Sequence, residues 1–159
     1  MTPVMTPVRR LAGVTAALAT CAAGGFLASA PAQAAETAHA HDGCTISMRT
    51  PHVVGHYVDG TKKVRYAVAA HCTAGHTIVI EDRRLEYDRI GHNDNTGFGA
   101  KALRFRTEGT VVVWWDARLP NTERGNEEVF HRARFKVTAD GVTGKWSDCQ
   151  RSKIESIAN

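Results

Sequence analysis

From Cys44 onward the sequence predicts an all-β protein, and three features predict it. Short runs rich in Val, Ile, Thr, Phe, Tyr and Trp recur at about the 8–12-residue spacing of sandwiches and barrels, divided by Gly, Asp and Asn. No window of helix length carries an apolar stripe of 3.6-residue period. Several separators are dipeptides suited to tight hairpins: Asp59-Gly60, Asp140-Gly141 and, less strongly, Glu108-Gly109.

Strands are expected at about 45–50, 53–58, 62–71, 76–82, 85–90, 101–107, 110–117 and 128–138, with a last one near 142–147. The stretches from Gly91 to Gly97 and from Pro120 to Asn126 read as loops. At this length the expected architecture is a two-layer β-sandwich of about eight strands, immunoglobulin-like in general build, with a small barrel as the alternative.

The residues before Cys44 read differently. Arg9 and Arg10 precede an apolar run to Ala30, and Pro31-Ala32-Gln33-Ala34 supplies an A-x-A cleavage signal, so residues 1–34 are expected to be a secretory signal peptide. The alanine-rich leader resembles those of high-GC Gram-positive bacteria. Residues 35–43 are small and polar and read as a flexible N-terminal arm, with His39, His41 and Asp42 as its docking residues. The sandwich is expected over 44–150 and a tail over 151–159. Cleavage would leave 18 basic against 16 acidic side chains, a balance that argues against nucleic acid as a partner. With no second long apolar segment, the expected location is extracellular, free of the membrane.

Three cysteines follow the leader: Cys44, Cys72 and Cys149. Export favours a disulfide, and three thiols leave one over. A turn at Asp59-Gly60 brings Cys44 and Cys72 within about three positions of facing each other, a slip that a bulge at Pro51 or Gly55 absorbs. Cys44–Cys72 is the preferred bridge and Cys44–Cys149 the alternative.

Ala69-Ala70-His71-Cys72 resembles the segment that bears the catalytic histidine of trypsin-like serine proteases, and Trp115-Asp116-Ala117-Arg118-Leu119 resembles their catalytic-aspartate segment. The resemblance implies a hydrolase using His71 and Asp116, together with a nucleophile that the chain does not present in the family's pattern. The serines after Asp116 are Ser147, Ser152 and Ser156, none of them in a Gly-rich turn. The eight histidines, with His39-x-His41 and the His71/His76 pair the closest to a ligand pattern, lack the spacing of a zinc site, so no metal or cofactor is expected. Glu86 and Asp88, beside Arg84 and Arg89, read as a solvated, salt-bridged face.

The more informative feature is a surface. Alternation over 129–138 places Ala133, Phe135 and Val137 on one face and Arg132, Arg134 and Lys136 on the other. Over 101–107, Leu103 and Phe105 oppose Arg104 and Arg106. If Glu108-Gly109 is a two-residue turn, Val111, Val113 and Trp115 join Arg104 and Arg106. The expected binding surface is therefore Arg104, Arg106, Val113, Trp115, Arg132 and Arg134. The function expected is a secreted, non-enzymatic binding or adaptor module that contacts other secreted proteins. By analogy of organisation alone, it would link components of an extracellular complex such as a bacterial toxin particle. An inhibitor presenting the loop 118–127 and a small hydrolase are the alternatives.

Overall fold

A computed structural model describes residues 39–88, 92–119 and 125–158, so the expected leader lies outside the described residues. Eleven strands and no helix occur among the described residues: β1 (His39–His41), β2 (Cys44–Met48), β3 (His52–His56), β4 (Lys62–Cys72), β5 (Thr77–Glu86), β6 (Asn95–Arg104), β7 (Gly109–Arg118), β8 (Glu127–Ala139), β9 (Val142–Thr143), β10 (Gln150–Arg151) and β11 (Glu155–Ile157). All pairings are antiparallel, and they make two sheets in a sandwich-like arrangement.

The first sheet is built around β4, which pairs with β2 and β3 on one edge and with β7 along the other. Its inward side chains Val64, Tyr66, Val68, Ala70 and Cys72 are all buried, the alternation a half-buried strand requires. In the second sheet β5 lies between β6 and β8, and β8 carries β9, β10 and β11 on its far edge.

Cys44 and Cys72 face each other across β2 and β4 and form the disulfide, with Cα atoms 4.1 Å apart. The register slips between Val53 and Gly55, where Gly55 takes a φ of 147°, and this bulge helps bring the cysteines into line. The bridge joins neighbouring strands of one sheet, unlike the inter-sheet disulfide of antibody domains. Cys149 is the free, exposed thiol.

Several elements depart from the sequence reading. The strands expected at 76–82 and 85–90 are one strand, β5, because β8 pairs with it without a break from Thr77 to Glu86. Asn95–Gly97 belong to β6 and not to a loop. Gly97 and Gly99 sit in that strand because their missing side chains make room: a Cβ at Gly97 would meet the Arg84 guanidinium at 2.6 Å, and one at Gly99 would collide with the Trp115 indole. Glu108-Gly109 is no hairpin turn, since β6 and β7 lie in different sheets and the chain crosses between them there.

Both ends of the domain are also more structured than expected. His39–His41 pairs with β2 through a turn in which Asp42 and Gly43 take φ values of 45° and 75°. Glu155–Ile157, expected as tail, extends the second sheet because the 13-residue β8 offers a free edge and Ile157 buries against Val64, Tyr66, Leu119 and Val129.

The interior has two characters. Near the disulfide it is apolar, with Ile46, Met48, Ile78, Ile80, Phe105, Val113 and Phe135 packed together. Further along β5 and β8 the inward positions become Asp82, Arg84, Glu86, His131 and Glu127, all buried. This corrects the solvated face read for Glu86 and Arg84: one strand long enough to pair throughout turns its even positions inward to the end. His131 Nδ1 lies 2.5 Å from Asp82 Oδ2, and Nε2 donates to the Arg49 carbonyl at 2.9 Å in the opposite layer. Both ring nitrogens face acceptors, so one proton sits between Asp82 and Nδ1 and another on Nε2. Burial pushes the Tyr66 hydroxyl well above its usual titration range.

Two outcomes follow from this packing. Closing the loop between Cys44 and Cys72, 28 positions apart, restricts the unfolded chain, so Cys44→Ser/Cys72→Ser should lose about 3.5 kcal/mol in denaturant unfolding. Asp82→Ala, which leaves buried His131 without its carboxylate, should lose about 3–5 kcal/mol in the same assay; a loss below about 1 kcal/mol would show the pair to be dispensable.

Candidate binding cleft

The same alternation that buries Asp82 and His131 turns Arg83 and Arg132 outward, and these two are direct partners across β5 and β8. Phe98 of β6 faces Arg83 on the other side, and Arg151 of β10 faces Arg132. One rung of the sheet therefore reads Phe98, Arg83, Arg132, Arg151. The neighbouring rung carries Ala100, Glu81 and Arg134.

These strands and the segment after β9 enclose an open cleft of about 520 Å³, lined by Glu81, Arg83, Leu85, Phe98, Arg132, Arg134 and Cys149. Its wall beyond β8 is fixed by Ser147, whose N–H donates to the Phe135 carbonyl at 2.7 Å and whose hydroxyl accepts from the Phe135 N–H at 3.0 Å. Trp146 packs under cations, with the Arg134 guanidinium 4.6 Å and the Lys136 ammonium 4.8 Å from its ring centre. Phe98 stands 56% exposed, a large apolar side chain at the rim of a basic site.

Charge divides the cleft unevenly. Arg134 is paired with Glu81 at 2.8 Å. No carboxylate among the described residues pairs with Arg83, Arg132 or Arg151. Arg132 and Arg151 instead gather over the buried ring of Phe130, at 5.7 and 4.1 Å from its centre.

Of the residues expected to form a binding surface, only Arg132 and Arg134 lie together here. Arg104 shares their face but lies opposite Thr77, six positions along β6 from Phe98 and roughly 20 Å away. Arg106 is exposed beyond the end of that strand. Val113 belongs to the core and Trp115 is half-buried against it, because the crossing at Glu108-Gly109 turns the odd positions of β7 inward. Val112 and Trp114 are exposed on the opposite face of that run, and Val111, near the start of the strand, is exposed as well. Arg83, Phe98 and Cys149 were missed; reading 92–97 as loop and breaking β5 after residue 82 hid their shared face.

The expected docking arm is engaged with its own domain. His41 Nε2 donates to the Lys145 carbonyl at 3.2 Å and lies 3.2 Å from Asp42 Oδ2; His39 takes its place in β1. Of the inhibitor loop expected at 118–127, residues 120–124 lie outside the described residues.

His71 and Asp116 are not brought together. His71 faces Thr110, with Nδ1 3.1 Å from its hydroxyl, and its Nε2 lies 3.5 Å from Glu108. Asp116 faces Arg65, six positions along β4 and roughly 20 Å from His71. The Arg65 guanidinium binds the Asp116 carboxylate through two hydrogen bonds of 2.8 and 3.0 Å, Lys63 adds a contact at 3.1 Å, and together they hold its pKa down at about 2. No family model matches the chain, and no curated protein matches it.

The Asp116 cluster makes a pH prediction. A carboxylate whose folded pKa lies below its unfolded value stabilises the fold fully above about pH 4, and the contribution disappears as pH falls through about 2. Asp116→Asn should therefore lower stability by about 1 kcal/mol at pH 7, allowing for solvent screening. Urea unfolding of the two proteins should converge near pH 2, and a gap that persists there would contradict the assignment.

Proposed function

We propose that this chain is a secreted, non-enzymatic binding module, an adaptor of immunoglobulin-like general build that holds another secreted protein on the outer face of its second sheet. The observation that carries the reading is the cleft itself. It sets exposed Phe98 beside Leu85 and three guanidiniums, the mixture of aromatic, aliphatic and arginine surface that protein interfaces favour. Its floor is formed by β5 and β8, central paired strands, so the contact residues are presented on rigid backbone.

Two further features support the reading. The disulfide suits an oxidising compartment, and no described helix is long and apolar enough to cross a membrane. The residues nominated for hydrolysis, His71 and Asp116, are each held by other partners.

Affinity purification of the tagged protein from the culture medium of its producer tests this. Wild-type protein should recover a defined secreted protein, and Phe98→Ala/Arg83→Ala should weaken that recovery at least about tenfold, as expected for central anchor residues. Recovery of nothing, or of a partner indifferent to both substitutions, would overturn the proposal.

A further inference from the structure

Resting on the docking reading above, we infer that the rung Arg83–Arg132–Arg151 reads a pair of carboxylates, spaced two residues apart in an extended segment of the docked protein, with an apolar side chain beside them on Phe98. Three guanidiniums stand on adjacent strands at register-matched positions. Like charges set directly opposite each other across a sheet repel, and here no carboxylate among the described residues relieves them. The next rung shows the usual remedy, with Glu81 bound to Arg134. The unrelieved row is thus a local feature, and the missing countercharge must come from outside the described residues.

Geometry selects the form of that countercharge. Strands lie about 4.8 Å apart, so the row spans about 10 Å. Alternate residues of an extended chain point the same way about 7 Å apart, so two carboxylates at such positions can each be shared between neighbouring guanidiniums, given the reach of the arginine side chain. The floor strengthens the attraction: the Phe130 ring beneath Arg132 and Arg151 is fully buried, which lowers the local dielectric. Phe98, at the end of the same rung and 56% exposed, sets polarity, because an apolar residue must lie on the β6 side of the acids.

A capped hexapeptide with two glutamates separated by one residue, and a leucine at one end, tests the inference by NMR titration of the purified protein at low salt. Saturable shifts should appear at Arg83, Arg132 and Arg151, and affinity should fall at least about tenfold with Arg132→Gln or when glutamines replace the glutamates. Lys136→Gln, beside Trp146 and outside the row, should change affinity little. Arg83→Gln should weaken binding yet raise the Tm of the free protein, because it relieves repulsion while breaking no ion pair. A lowered Tm, or binding indifferent to the glutamates, would overturn the inference. So would saturation of the same arginines by inorganic sulfate or a sulfated polysaccharide with no binding of the peptide, which would mark a site for sulfate esters. If the peptide fails while Phe98→Ala/Arg83→Ala still weakens partner recovery, the docking reading stands and this one falls.

Discussion

The carboxylate of Asp82 and the imidazole of His131 meet at 2.5 Å with no exposure to solvent, and the far nitrogen of that imidazole reaches the Arg49 carbonyl across the interior. An apolar sandwich has many near-equivalent ways to slide one sheet over the other, because dispersion and hydrophobic burial have little directionality. A buried hydrogen bond does have direction, and leaving its groups unmatched is costly. His131 is further held through its own N–H, which donates to the Ser152 hydroxyl at 3.0 Å. The offset of the two layers, and with it the packing of both apolar clusters, follows from where this ring can find its acceptors.

The same residues connect interior to surface. Along β5 the sequence Asp82-Arg83-Arg84 places an anion inside, a cation outside and a cation inside; along β8, His131 and Ala133 point inside and Arg132 between them points outside. Neighbouring side chains on one backbone cannot move independently. Locking Asp82 and His131 in place therefore locks the outward Cα–Cβ directions of Arg83 and Arg132, so the cleft inherits its rigidity from the polar interior.

How much of this was legible depended on what kind of signal each residue carried. The Cys44–Cys72 bridge could be read because turn chemistry at Gly60 and a bulge near Gly55 are local properties of the chain. So could the inward and outward faces of β8, since strict alternation over Ala133, Arg134, Phe135 and Lys136 has one interpretation. Gly97 was misread as loop because its reason for being glycine lies elsewhere, in Arg84, just as that of Gly99 lies in the indole of Trp115. Charged residues in β5 suggested solvent for the same cause: the partners that make burial tolerable, His131 for Asp82 and the Phe98 carbonyl for Arg84, stand on other strands and leave no mark on the local pattern. The Asp42-Gly43 turn was readable in principle, but the run before it is too short to declare itself a strand.

The position of the disulfide has a mechanical meaning. Tension applied through the N-terminal end of the domain would peel β1 from β2 residue by residue and then meet a covalent bond at Cys44, the first residue of β2. From there the load passes directly to Cys72 at the end of β4, the strand flanked on both edges within its sheet. Pulling on that strand shears many hydrogen bonds at once instead of opening them one at a time. A tether attached at this end would thus yield early over a few residues and then stiffen, leaving the arginine cleft in the other sheet undistorted while the linkage is under strain.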